Sequence, residues 1–119
     1  MYLMGSVLRH GSEEQKNTYL PKIARGEPRL QSFGVTEPIT GTDTTSLQTT
    51  AKRLGDKYVI NGQKLWISRI EQSVVMVLLA RTTDRDKVSE MTEGQSAFLL
   101  QVVRTKGNDL TFRPIESMI

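Results

Sequence analysis

The chain of 119 residues is long enough for one domain with its own core, and its 37% hydrophobic and 24% charged residues predict a globular protein. The absence of cysteine excludes a disulfide framework and a thiolate metal site, and a single histidine, His10, excludes a histidine-rich metal site. The net charge of +3 is scattered without a basic stripe that would indicate nucleic acid as a partner, and the longest apolar run, Val74 to Ala80, is too short to span a bilayer.

Residues 1–28 predict a helical lead-in. A first helix is expected to stop at Gly11, and Ser12 followed three residues later by Gln15 is the pattern of a capping box that opens a second helix. Pro21 is expected to break or kink this second helix, or to begin a short further one, because proline has no amide hydrogen.

Residues 29–119 predict a mainly β fold, a small antiparallel β-barrel or sandwich of about six or seven strands. Tight turns at Gly55-Asp56 and Asn61-Gly62 indicate an antiparallel meander of three strands. The last strand would form an open edge, so we expect this β domain to be truncated at its C-terminal end and the chain to be a piece of a longer one. The predicted strands cover residues 30–36, 47–54, 57–60, 64–68, 74–81, 96–104 and 110–115, with a surface loop at 82–95.

Two strand ends each place an aromatic residue beside a hydroxyl. Phe33 and Val35 share one face of a strand with Thr36 following, and Trp66 likewise shares a face with Ser68. Such a surface suits a planar heteroaromatic ring, because the apolar wall covers the ring face and the hydroxyls bond its polar atoms. The residues by themselves favour a plainer interpretation, in which Trp66 is a core residue and Ser68 a strand-end hydroxyl.

The remaining polar residues give weaker signals. Glu37, before a proline at a strand end, is interpreted as a residue that only hydrogen-bonds its loop. The hydroxyl-rich run 40–46 either caps a turn or presents amides and hydroxyls to a phosphate group. No pairing of a nucleophile with histidine is evident, because the only histidine, His10, is in the helical lead-in.

The two strand-end segments resemble a known family. Residues 33–38, Phe-Gly-Val-Thr-Glu-Pro, followed by Gly-Thr-Asp at 41–43, are similar to the signature of the middle, β-rich domain of the acyl-CoA dehydrogenases. Residues 55–68, which read Gly-Asp-Lys-Tyr-Val-Ile-Asn-Gly-Gln-Lys-Leu-Trp-Ile-Ser, resemble a second block of that domain at a fitting distance. Residues 11–16 and 19–21 resemble the family's lead-in, which implies that 1–28 end the N-terminal helical domain and 29–119 form the β-barrel middle domain.

The resemblance implies an FAD-dependent enzyme that oxidises an acyl-CoA thioester to the trans-2-enoyl-CoA. A carboxylate takes the α-proton in this family while the β-hydride passes to flavin N5. That carboxylate is expected in a C-terminal helical domain outside this chain, so the chain alone is predicted to be inactive and to hold FAD weakly. By the same resemblance Thr42 contacts the CoA portion of the substrate, and the cofactor-binding residues are Phe33, Val35, Thr36, Trp66 and Ser68.

The implied partners are an acyl-CoA substrate, an electron-transfer acceptor and further copies in a homo-dimer or homo-tetramer. The implied location is the bacterial cytoplasm or the mitochondrial matrix, and no targeting segment is visible. The chain departs from many family members in having Phe33 for tyrosine, which loses a phenolic donor, and Ser68 for threonine, which keeps the hydroxyl. Ile39-Thr40 stands where many members have small residues, so the loop is expected to fit a different substrate. The alternative is a non-catalytic β-barrel module, for binding or structure, derived from the same family.

Overall fold

The fold is mostly sheet, with two short helices ahead of one five-stranded sheet, in a computed structural model that describes residues 2–27, 31–103 and 110–115. This confirms the predicted mainly β fold with a helical lead-in. Neither helix in those ranges is long and apolar enough to cross a membrane. The elements are α1 (Tyr2–His10), α2 (Glu13–Ala24), β1 (Gln31–Gly34), β2 (Thr50–Leu54), β3 (Lys57–Asn61), β4 (Val75–Arg81) and β5 (Gln95–Gln101), with 3-10 turns at Thr44–Ser46, Ile70–Gln72 and Arg85–Lys87.

The start of α2 follows from local sequence. The Gln15 amide donates to Ser12 Oγ at 3.2 Å and the Ser12 amide donates to Gln15 Oε1 at 3.0 Å, which confirms the capping box. Of the alternatives for Pro21, a break and the start of a further helix were wrong, because α2 continues through this residue to Ala24. Proline removes one backbone hydrogen bond, and the packing of neighbouring apolar side chains against the sheet offsets that loss.

Strand β4 is the centre of the sheet. It pairs with β5 in antiparallel register along its whole length, from Val75–Gln101 to Arg81–Gln95. Its other edge carries β1 in parallel register and then, through the single pair Thr50–Arg81, the start of β2. The sheet is therefore mixed rather than antiparallel throughout. The chain leaves this edge of β4 after Gly34 and returns to it at Thr50.

Only one of the two predicted tight turns forms a hairpin. Gly55, with φ of +64°, joins β2 to β3 as expected. The predicted return strand at 64–68 was wrong, since no strand lies between Asn61 and Val75. Gly62 instead lies directly against Thr49, so close that a Cβ at position 62 would be 2.3 Å from Thr49 Oγ1. The predicted strand at 110–115 is also absent, and the described part of the chain holds five strands rather than six or seven.

The core has two halves, one on each face of β4, because successive residues of a strand point to opposite faces. Both halves use the apolar run that predicted this strand, and every residue of β4 except Leu79 is buried. The helical face contains Val75 and Val77 with Val7, Tyr19, Leu20, Ile23 and Leu99. The opposite face contains Met76, Leu78 and Val102 with Ile60, Ile67, Ile70, Phe98, Leu100 and Phe112.

Candidate functional site

The two predicted strand-end segments lie side by side. The Leu65 amide donates to the Thr36 carbonyl at 2.8 Å. Lys64 Nζ donates to the Val35 carbonyl at 3.0 Å and to Glu37 Oε1 at 2.7 Å. A strand end and an irregular segment, separated by almost 30 residues of chain, are thereby joined by three hydrogen bonds.

Glu37 is a buried carboxylate that joins the two ends of the loop at residues 38–47. Its side chain is 2% exposed and accepts hydrogen bonds from the amides of Gln48, at 2.6 Å, and Thr49, at 3.0 Å, besides pairing with Lys64. Burial acts to raise the pKa of this carboxyl, but Lys64 and the two amides outweigh it and lower the pKa to about 2. Glu37 is therefore ionised and fully engaged: it hydrogen-bonds its loop, as predicted, and it also pairs with Lys64, which is outside the loop.

Two aromatic rings are exposed where these segments meet. Phe33 is 51% exposed and Trp66 is 68% exposed, so the plainer interpretation of Trp66 as a core residue is wrong. Trp66 also has a φ of 58°, in the left-handed region that bulky residues rarely adopt. Such a conformation costs on the order of 1–3 kcal/mol and is concentrated at functional sites. The chain thus holds its single tryptophan outward on a strained backbone.

The hydroxyl groups of this region are available to a ligand. Thr36 is half-buried and Ser68 exposed, and neither side chain has a hydrogen-bond partner within the ranges that the structure describes. Val35 is half-buried, next to Thr36 and bound through its carbonyl to Lys64. The structure thus brings the 33–36 segment to Trp66, and Ser68 follows two residues further on, although not on the strand that was predicted to carry it.

The hydroxyl-rich loop is ordered by Asp43. This carboxylate accepts from the Thr45 amide at 3.0 Å and from the hydroxyls of Thr45 and Ser46, capping the 3-10 turn Thr44–Ser46. The Ser46 and Thr45 hydrogen bonds lower the pKa of the Asp43 carboxyl below its usual range. Two of the hydroxyls that could have met a phosphate are therefore used inside the turn, while Thr42 and Thr44 remain exposed.

Sequence reasoning missed three residues that build this region. Lys64 and Asp43 both lie in the quoted motifs, but their partners could not be identified without the fold. Arg81 is a charged residue that ends the apolar run of β4, and it is buried at 7% exposure. Its guanidinium donates to the Thr45 carbonyl at 2.8 Å and the Glu93 carbonyl at 3.2 Å. The sequence signal that could have identified Arg81 was a charged residue directly after a fully apolar run.

Comparison with known families agrees with this architecture. Residues 32–118 match the model of the acyl-CoA dehydrogenase middle domain, and residues 1–27 match the model of the acyl-CoA dehydrogenase N-terminal domain. The chain therefore belongs to the acyl-CoA dehydrogenase family, a family of FAD-dependent oxidoreductases.

Individual members of the family show how similar the chain is to known proteins. It is 45% identical over 95 residues to a short-chain-specific acyl-CoA dehydrogenase of Clostridium acetobutylicum, covering 80% of this chain and 24% of that protein. It is 36% identical over 113 residues to acyl-CoA dehydrogenase FadE26 of Mycobacterium tuberculosis, covering 95% of this chain and 27% of that protein. A glutaryl-CoA dehydrogenase of Mycobacterium smegmatis, solved in complex with FADH2, superposes with a TM-score of 0.69 at 36% identity, covering 82% of this chain and 23% of that one. The chain spans about a quarter of the length of the curated relatives that it matches.

Proposed function

We propose that this chain is the flavin- and acyl-CoA-binding middle domain of an FAD-dependent acyl-CoA dehydrogenase, which converts an acyl-CoA thioester to the trans-2-enoyl-CoA. The observation that carries the proposal is the meeting of two chain segments whose aromatic rings, Phe33 and Trp66, are exposed instead of buried. An isolated fold would gain stability by burying these rings. Their exposure beside free hydroxyls is what a flat, polar-edged ligand requires.

In this proposal each predicted residue has a physical role. Phe33, Val35 and Trp66 provide apolar surface that excludes water from the ring system, and Thr36 and Ser68 donate hydrogen bonds to its polar edge. Bound FAD would supply the acceptor for the hydride that leaves the substrate's β-carbon. Fixed hydroxyl donors stabilise the negative charge that develops on the flavin edge without reorganising. Thr42, exposed on the ordered loop, contacts the CoA portion of the substrate.

The base that removes the α-proton is proposed to come from outside this chain. Glu37 directly follows Thr36, but its carboxylate is held by Lys64 and two amides, and its pKa of about 2 makes it a very weak base. Proton abstraction by Glu37 would also release the loop that it closes. We therefore assign Glu37 to structure and leave catalysis to a carboxylate of the full-length protein.

The wider assignments belong to the same proposal. Residues 1–28 would end an N-terminal helical domain, and 29–119 would form the β-barrel middle domain. The full-length protein would assemble as a homo-dimer or homo-tetramer and pass its electrons to a separate acceptor. It would act in the bacterial cytoplasm or the mitochondrial matrix.

The test uses the full-length protein that contains this chain. We expect it to purify yellow, and its flavin absorbance to bleach when an acyl-CoA is added without oxygen. Replacing Trp66 with alanine should lower flavin occupancy, and Ser68→Ala should slow flavin reduction by roughly tenfold or more, because one donor to the flavin edge is lost. Ser89→Ala, an exposed serine in the 82–94 loop, is the matched control and should leave both unchanged.

The outcomes separate the proposal from its alternatives. A full-length protein without flavin would count against the proposal. Flavin that binds but is never reduced by an acyl-CoA would indicate the non-catalytic binding module. Unchanged flavin affinity and turnover after both replacements would mean that Trp66 and Ser68 serve only the fold.

A further inference from the structure

Arg81 is a buried cation whose side chain hydrogen-bonds backbone carbonyls of loops. Its guanidinium donates only to carbonyl groups, those of Thr45 and Glu93, and no carboxylate pairs with it within residues 2–27, 31–103 and 110–115. Removing a charge from water is costly, and a carbonyl dipole compensates this cost less well than an opposite charge. Stability alone therefore gives a weak reason for an arginine here.

The contacts of Arg81 fix one short stretch of chain at two points. Its amide donates to the Thr49 carbonyl at 2.8 Å, where β2 joins β4, and its side chain holds the Thr45 carbonyl at 2.8 Å. Gln95, the residue opposite Arg81 in the β4–β5 pairing, also donates to the Thr45 carbonyl, at 3.4 Å. The turn Thr44–Ser46 is thus bound to the sheet from one side.

The turn is also bound by Asp43, whose carboxylate accepts from the Thr45 amide. The loop is closed at its neck by Glu37, capped by Asp43 and held to the sheet by Arg81 and Gln95. Thr42 lies directly before the capping residue and is exposed. Its hydroxyl position consequently depends on how firmly the Thr45 carbonyl is held.

We propose that Arg81 is a positioning residue for the CoA portion of the substrate. It holds the Thr45 carbonyl, and through it the turn that carries Thr42, in the conformation that binds CoA. This inference rests on the proposed function, which assigns Thr42 to CoA. Arg81 touches neither the flavin nor the reacting carbons in this scheme, so its loss should affect substrate binding far more than the chemical step.

The test measures steady-state kinetics of the full-length holoprotein with Arg81→Lys. Lysine keeps the charge but has one nitrogen where arginine spans two carbonyls. We expect KM for the acyl-CoA to rise roughly tenfold, the equivalent of one hydrogen bond to a charged group, with kcat within about twofold of the parent. Flavin content and spectrum should be unchanged. Arg53→Lys is the matched control, because Arg53 is exposed and also donates to a carbonyl, that of Gly55.

A truncated substrate separates positioning from general damage. An acyl thioester of N-acetylcysteamine keeps the reacting carbons but lacks the nucleotide and most of the pantetheine, so Arg81→Lys and the parent should use it equally well. An unchanged KM for acyl-CoA would overturn the proposal, and so would a joint loss of kcat, flavin and activity toward the truncated substrate.

A second variant keeps the proposal testable if Arg81→Lys does not fold. Gln95→Leu removes the other donor to the Thr45 carbonyl without disturbing the buried charge, and KM for acyl-CoA should rise by about two- to fivefold. No change in KM for this variant would overturn the proposal. A parent protein that is not reduced by acyl-CoA would instead contradict the proposed function, so the two failures are distinct.

Discussion

Replacing Lys64 with methionine should destabilise the protein more than any other single lysine change in the described sheet and loops. Lys64 Nζ lies 2.7 Å from a carboxylate oxygen of Glu37, and both side chains are buried, at 6% and 2% exposure. Methionine matches the length of the lysine stem but leaves the carboxylate charged without its partner. Breaking a buried pair in this way costs about 3–5 kcal/mol.

The pKa of Glu37 gives an independent magnitude. Its fall from 4.5 to about 2 corresponds to about 3 kcal/mol of stability for the ionised form in the folded state. Because the folded-state pKa is depressed, this stability is present above pH 4.5 and is lost as the pH falls toward 2. Lys64 is one of several groups that lower this pKa, so Lys64→Met should lose part of this stability at pH 7 and show a shallower loss across that acid window.

The assay is urea unfolding of the chain at pH 7 and at several values down to pH 2. Lys57→Met, an exposed lysine in β3, is the matched control and should change the free energy of unfolding by less than about 0.5 kcal/mol. Glu37→Gln combined with Lys64→Met should be less destabilised than the sum of the two single changes, since no buried charge remains unpaired. A Lys64→Met variant within about 1 kcal/mol of the parent at pH 7 would refute this account of the pair.

Three further predictions concern other parts of the chain. Gly62→Ala should cost about 1–3 kcal/mol of stability in urea unfolding, because its Cβ would lie 2.3 Å from Thr49 Oγ1; Gly41→Ala, with open space around it, should cost much less, and equal losses would contradict the contact. The Asp43 carboxyl carbon should titrate below its usual range in NMR, and Ser46→Ala should move it back toward that range; an unmoved midpoint would exclude the hydrogen bond as the cause. The isolated chain should bind FAD weakly in a fluorescence titration, because the proposed site is shared with parts outside it, and a tight stoichiometric complex would disprove this.

The sequence predicted features whose causes are local. The capping box of Ser12 and Gln15 depends on residues three apart, and the turn at Gly55 on one left-handed glycine. The apolar run of β4 identified a buried strand because it is short and rich in β-branched residues, which favour the interior of a sheet. The motifs around Phe33 and Trp66 identified the two segments of the predicted binding surface, and the structure brings these segments together.

The wrong predictions are explained by contacts between residues that are distant in sequence. Asn61-Gly62 favours a hairpin locally, but the close approach of Gly62 to Thr49 and the bond of Lys64 to Glu37, 27 residues away, direct the chain past the sheet instead. Trp66 adopts a positive φ that no propensity scale would assign to tryptophan. Pro21 remains helical because tertiary packing outweighs the loss of one hydrogen bond.

The closed neck of the loop has a consequence for how this protein can diverge. Glu37 binds the amides of Gln48 and Thr49 on the far side of the loop, while β1 and β2 keep their own pairings on the edge of β4. Residues 41–44 lie between the Glu37–Thr40 bridge and the Thr45 carbonyl that Arg81 holds, so they can be lengthened, shortened or exchanged without disturbing the pairing of either strand, at the small entropic cost of a longer closure. The strand pairing of the sheet is then preserved while substitutions, insertions and deletions accumulate in this part of the loop.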